Sequence, residues 1–259
     1  ERTTKENELM MTNNIIATRR NKVIYRDGDE CIKVFDENYS KADVLNEALN
    51  QARIEETGLN IPKILGVNMI DGKWAIISEY INGKTLAQLI EENPQNRDEY
   101  LELLVNIQME VLSKKVPLLS RIKDKFKRKI TDSEVLDENV KFELLQKLEG
   151  MKNHAKLCHG DFNPSNIIIK EDGSYYIIDW SHVTQGNASA DAARTYLLFA
   201  LDGKQDVADK YLKLFAQKYE TDIKKIQTWI PIVAATQLMK GVEKEQEILR
   251  KWVDVVEYQ

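Results

Sequence analysis

An α+β fold in two lobes, a small antiparallel β-sheet lobe with one helix followed by a larger, mainly helical lobe, is what this sequence predicts. Three observations predict it. Apolar and polar residues alternate in short runs from Ile15 to Tyr80, the apolar period turns helical beyond Asn82-Gly83, and one strand pair interrupts the helices between Leu157 and Trp180. At 259 residues a single core is close to its limit, so two packed lobes are a natural arrangement.

The elements follow in order. Ile15 to Phe35 reads IIATRRNKVIYRDGDECIKVF, broken around Arg19 to Asn21 and again at Asp27-Gly28-Asp29, which predicts three strands in a meander. Ser40 and Asp43 look like a cap, and Val44, Leu45, Ala48, Leu49, Ala52 and Ile54 recur at helical spacing up to Gly58. Lys63 to Met69 and Trp74 to Tyr80 flank the turn Asp71-Gly72 and complete a five-stranded sheet. A hinge near Glu79 to Gly83 then divides the chain into residues 1–81 and 82–259. Thr85 and Gln88 form a capping box, Asn93-Pro94 ends that helix, and Tyr100 to Ser113 and Asp137 to Lys156 carry helical periodicity. Ile167 to Ile169 and Tyr175 to Ile178 read as a hairpin about Asp172-Gly173, and helices resume from Ala190.

Composition narrows the function classes. Hydrophobic residues at 42% and charged residues at 31% describe ordinary folded material. Thirty-seven basic against 42 acidic residues give a net charge of −5, which disfavours a general grip on nucleic acid or anionic lipid. Cys31 and Cys158 stand far apart without metal-ligand spacing, and Glu1 to Asn14 shows no secretory pattern, so a cytoplasmic protein is expected. The longest uncharged run, Ile226 to Met239, has 14 residues and contains Pro231, too few to span a bilayer.

The chemistry concentrates around the hairpin. His159-Gly160-Asp161-Phe162-Asn163-Pro164-Ser165-Asn166 precedes it and Ile177-Ile178-Asp179-Trp180 follows it. Phosphoryl transfer needs a carboxylate to orient the attacking hydroxyl and oxygen ligands to hold Mg²⁺ on nucleotide phosphates. Asp161, Asn166 and Asp179 can supply these groups. With each ligand type at a background of ~5%, such a spacing arises by chance on the order of once in a few thousand chains. His159 reads as a structural residue that orients the loop, and Asp191 as an N-cap supporting it.

HGDFNPSN resembles the catalytic loop of the protein-kinase-like phosphotransferases, and IIDW the metal-binding motif after it, in the form used by aminoglycoside phosphotransferases and choline-kinase-like small-molecule kinases. The resemblance implies a bilobal protein-kinase-like fold, Asp161 as catalytic base, Asn166 and Asp179 as Mg²⁺ ligands, and ATP or GTP as phosphate donor. It further implies that Lys33, in Ile32-Lys33-Val34, contacts the α and β phosphates. Glu47 would be its ion-pair partner, in competition with Glu55 and Glu56. The stretch Ser78 to Ile81, including Glu79 and Ile81, resembles the hinge that holds adenine.

Departures from the pattern are informative. No GxGxxG lies between the first strands; Thr18, Arg19, Arg20 and Asn21 stand there instead. Trp180-Ser181 replaces Phe-Gly, and only about ten residues separate Asp179 from the helix near Asp191, leaving no room for a peptide-docking segment. A small-molecule hydroxyl (aminoglycoside, choline-like or sugar-like) is therefore the expected acceptor, with no nucleic-acid or membrane partner and a monomer or weak dimer as the assembly. Lys114, Lys115, Arg121, Lys123, Lys125, Lys127, Arg128 and Lys129 give no support to a cationic acceptor, and a solvated helical face is the simplest reading of them. Two rivals are weighed against this: a nucleotide-binding pseudokinase or regulator without turnover, disfavoured because all three polar groups are present, and a metal hydrolase using His159, Asp161 and Asp179, which lacks the further His or carboxylate cluster that a two-metal site needs.

Overall fold

A computed structural model of the chain describes residues 14–19 and 21–254, so Arg20 and most of the segment read for a secretory signal lie outside the described residues. The described residues form two compact units, one of those up to residue 89 with 165–181, the other of 90–164 with those from 182 onward. The hairpin expected within the later lobe thus groups with the first unit.

The first unit is built on an antiparallel sheet of β1 (Ile15–Arg19), β2 (Lys22–Asp27), β3 (Glu30–Phe35), β4 (Ile64–Ile70) and β5 (Lys73–Glu79) in the order β1-β2-β3-β5-β4. Its helix α1 (Lys41–Glu55) starts where Ser40 Oγ accepts from the Asp43 amide at 3.0 Å. Val44 and Ala48 on α1 meet Phe35 of β3 and Ile76 of β5 in a small core edged by Tyr39, Ile64, Val67 and Trp74. Beyond the sheet, β6 (Lys84–Thr85) pairs with β8 (Ile167–Ile169), which pairs with β9 (Tyr175–Ile177). The Ile177 amide also donates to the Asn60 carbonyl at 2.9 Å, and these backbone bonds are why the hairpin belongs here. Gly83 is forced at the crossing, because a Cβ there would stand 2.5 Å from the Ile169 carbonyl oxygen. Thr85 and Gln88 make the reciprocal capping box at 2.8 and 3.1 Å, opening α2 (Leu86–Glu92).

The second unit contains α3 (Arg97–Ser113), α4 (Ile122–Thr131), α5 (Glu138–Gly150), α6 (Ala188–Leu201), α7 (Gln205–Lys218), α8 (Ile223–Gln227), α9 (Ile230–Leu238) and α10 (Gln246–Asp254). Every residue of α9 is buried, as an element apolar on all sides requires, and it packs against α4, α6 and α10. The helix expected to reach Lys156 ends at Gly150. Lys156–Cys158 instead forms β7, antiparallel to β10 (Thr184–Gly186), so tertiary pairing overrides local periodicity. Both cysteines are free, and burial pushes the Cys158 thiol well above its usual range.

Candidate active site

Lys33 lies mid-strand between Ile24 on β2 and Ile76 on β5, two residues from Phe35 and hence on the sheet face that receives α1. On α1 the buried positions Val44, Glu47 and Ala48 are spaced three and four apart, so Glu47 is carried inward beside the core residues. The result is a contact of 2.7 Å between Lys33 Nζ and Glu47 Oε1, with both side chains largely shielded from water. Burial alone would lower the Lys33 pKa, but the carboxylates of Glu47 and then Asp179 outweigh it and raise the value, keeping the ammonium charged. The competing acids are committed elsewhere: Glu55 accepts from the Ile64 amide at 2.7 Å and Glu56 is the helix C-cap.

Asp179 follows β9. The register Ile167↔Ile177, continued by a 2.9 Å bond from the Ile178 amide to the Asn166 carbonyl, places Asn166 and Asp179 at the same end of the hairpin. Asp179 adopts φ +59°, left-handed backbone that costs a non-glycine residue on the order of 1–3 kcal/mol and concentrates at functional sites. Its Oδ1 accepts from Ser181 Oγ at 2.9 Å and faces two ammonium groups, Lys33 at 3.7 Å and Lys22 at 3.8 Å. Sequence reading missed Lys22. It stands just after the turn expected to close on phosphate, and burial together with the Lys33 charge lowers its pKa. Glu79 turns its carboxylate to the Lys63 amide at 3.0 Å. The Tyr80 amide donates to the Asp29 carbonyl at 2.8 Å, fixing the strand end that leads to Ile81.

The second unit holds the loop with Asp161, and α6 fastens that loop residue by residue. Asp191 Oδ1 accepts from the Gly160 amide at 2.7 Å, Arg194 Nη2 lies 3.4 Å from Asp161 Oδ1, and Thr195 Oγ1 donates to the Phe162 carbonyl at 2.7 Å. Positions 191, 194 and 195 share one helical face, which is why three neighbours in the loop find three partners on one helix. Asp191 does support the loop, but not as N-cap: Asn187 caps the helix by accepting from the Ser189 amide at 2.9 Å, and Asp191 sits buried in the first turn. Its other oxygen meets Gln108 at 3.3 Å, and burial raises its pKa. His159 is fully buried; its Nδ1 accepts from the Asp161 amide at 3.2 Å and its ring stands edge-on to Phe162, an orienting rather than proton-carrying position. Gly160 has φ +83°, and a Cβ there would lie 2.5 Å from the His182 carbonyl oxygen, so only glycine gives this turn.

The basic helix differs from the solvated face expected of it. Lys127 and Arg128 are exposed, but Lys123 donates to the carbonyls of Glu149 and Met151 at 3.1 and 2.7 Å, and Lys125 to that of His182 at 3.2 Å. Arg194, Thr195 and this inward basic side carried no signal beyond helical spacing. Among the described residues no group of three or more His, Cys, Asp and Glu side chains is placed to hold a metal ion.

The fold is that of the kinase-like phosphotransferases. A model of the phosphotransferase enzyme family APH matches residues 17–229, and the chain belongs to that family, which makes it a small-molecule kinase. No curated protein matches the sequence. Among solved structures, a thermostable mutant of aminoglycoside phosphotransferase APH(4)-Ia in ternary complex with ADP and hygromycin B is similar with TM-score 0.71 and 14% identity, over 98% of each chain. The GDP complex of an aminoglycoside 2'-phosphotransferase-IIIa mutant gives TM-score 0.61 at 15% identity over 99% of this chain and 97% of that one. ADP-bound APH(2'')-Ib gives TM-score 0.59 at 18% identity over 97% and 96%. No helix among the described residues is long and apolar enough to cross a membrane.

Proposed function

We propose that this enzyme transfers the γ-phosphate of ATP, or of GTP, to a hydroxyl of a small molecule, with Asp161 as the base. The observation that carries the reading is the charged Lys33, clamped at 2.7 Å by Glu47 and standing 3.7 Å from Asp179. A lysine held this way neutralises phosphate charge without paying orientation entropy at each turnover. Nucleotide use is supported by the ADP, AMP-PNP and GDP complexes among the similar structures.

The amide oxygen of Asn166 and the carboxylate of Asp179 are hard oxygen donors at one end of a hairpin, a donor set that fits Mg²⁺ completed by phosphates. When bound, the ion would draw charge from the phosphoryl oxygens. Lys33 and Lys22 bind and orient the phosphate tail from the sheet, and Ser181 holds the Asp179 oxygen. Asp161, steadied by Arg194 and by the hydrogen bond its backbone amide donates to His159, accepts the proton of the acceptor hydroxyl as that oxygen bonds to the γ-phosphorus and the bond to the bridging β-phosphate oxygen breaks, releasing the nucleoside diphosphate. Because the transition state is loose, positioning and charge neutralisation contribute most, and the base adds about 10²- to 10⁴-fold. Residues Ser78 to Ile81 would take the adenine through backbone groups.

The test is nucleotide consumption with Mg²⁺ and a panel of aminoglycosides, choline analogues, sugars and hydroxy acids, with the product weighed by mass spectrometry. A product heavier by one phosphoryl group supports the proposal; nucleotide binding without any transfer refutes it in favour of a regulator.

A further inference from the structure

We propose that the acceptor is an alcohol bearing a carboxylate or phosphate group, and that this anionic group seats in the pocket walled by Lys125, Lys129, Arg194 and Lys240. The inference rests on the phosphotransferase reading above and names the substrate class of the same site.

Helix α4 explains two of the cations. Ile122, Phe126 and Ile130 form its buried stripe, and Lys125 and Lys129, four apart, run along the edge of that stripe, so their heads turn into the unit instead of out to solvent. Arg194 enters from α6 and Lys240 from the turn after α9, and Gly160, the neighbour of Asp161, belongs to the same wall. Three carboxylates, Asp161, Asp191 and Glu245, stand against these four cations. Asp191 accepts from the Gly160 amide and Gln108, Glu245 accepts from Gln237 at 2.7 Å, Gln237 accepts from Arg194 at 2.7 Å, and Arg194 lies 3.4 Å from Asp161. The cations outnumber the carboxylates by one and share a half-enclosed space in which they repel one another. Burial, then the charges of Lys129, Lys240, Arg194 and Arg128, hold the Lys125 ammonium down at about 8. Burial and Arg194 bring Lys240 to about 8 as well, although Asp161 and Glu245 pull the other way.

An anion entering this space relieves the repulsion and gains charge-assisted hydrogen bonds, whereas an amino sugar or a quaternary ammonium adds to the repulsion. Size agrees. The pocket's open volume is about 50 Å³. A single water needs roughly 10–15 Å³ on that measure, so the pocket has room for a carboxylate or phosphate group. The rest of such an acceptor, including its hydroxyl, would extend past Gly160 toward Asp161.

Two measurements on the full chain decide it. In the first, kcat/KM with Mg·ATP is compared for hydroxy acids, sugar phosphates, neutral sugars, and aminoglycosides with choline. The proposal expects an anionic class to exceed the others by at least about tenfold, its two arms telling carboxylate from phosphate. Preference for a neutral or cationic alcohol overturns this inference and leaves the phosphotransferase reading standing. If no class is turned over, that reading fails and the pocket is judged by the second measurement alone: calorimetric titration of inorganic phosphate in the presence of Mg·AMP-PNP. Lys129→Met is expected to weaken phosphate binding about 10- to 100-fold. Equal affinity in wild type and variant, or no binding to wild type, overturns the proposal. Lys125→Gln replaces that variant should it fail to melt cooperatively.

Discussion

Replacing Glu47 by Gln tests the clamp on which the phosphate-binding half depends. The change keeps the shape and removes the charge that faces Lys33 at 2.7 Å. The Lys33 side chain is 15% exposed and that of Glu47 7%, so water screens the pair little. Breaking such a pair from one side costs about 3–5 kcal/mol, because the surviving charge is left buried. Asp179, 3.7 Å from the same ammonium, compensates in part and favours the lower end. At about 2–4 °C per kcal/mol for a chain of this size, the melting temperature should fall by roughly 6–12 °C. The sign with pH follows from the raised Lys33 pKa: the stabilisation is complete below the unfolded lysine value of about 10.4 and is lost only as pH rises through the higher folded value. The deficit of the variant should therefore be constant through the neutral range. Lys33→Met combined with Glu47→Leu removes both charges and should recover most of the lost stability while abolishing transfer. Calorimetric melting of wild type, Glu47→Gln and the double variant is the assay. A Glu47→Gln protein that melts within about 1 °C of wild type, or a double variant no more stable than Glu47→Gln, would refute the argument.

Two further predictions concern the second unit. Asp191→Ala strands the Gly160 amide and the Gln108 amide group in a buried place, so melting should show a loss of about 2–6 kcal/mol; Asp191→Asn, which still offers an acceptor to Gly160, should lose less. Lys125 and Lys240, charged below about 8 and neutral above it, should make kcat/KM for an anionic acceptor fall as pH rises through that value. A pH profile flat from neutrality to about 9, on an active acceptor with an anionic group, would contradict the assignment.

Much of this molecule was legible from local chemistry. The alternation in Ile15 to Phe35, the Ser40 cap and the Thr85 and Gln88 box each act within a few residues, and each forms where the residues say. The loop His159 to Asn166 and the Asp179 motif stand out because their spacing is improbable for a core. What stayed hidden depends on distant pairing. β7 and β10 have three residues each and become strands only through one another. Lys22 gains significance only when β2 aligns beside β3. Arg194 and Thr195 look like ordinary helical residues until α6 lies along the loop. The lysines of α4 read as solvated because composition carries no direction; the stripe Ile122, Phe126 and Ile130 supplies it only after the helix is packed.

The most direct test of the central claim separates holding the nucleotide from moving the proton. Titration calorimetry of Mg·ATP into Asp161→Asn and Asp179→Ala, paired with a product assay on each, makes that separation. The account predicts that Asp161→Asn binds Mg·ATP as wild type does and forms no phosphorylated product, whereas Asp179→Ala loses Mg²⁺-dependent affinity. Unchanged Mg·ATP binding by Asp179→Ala, or sustained transfer by Asp161→Asn, would contradict it.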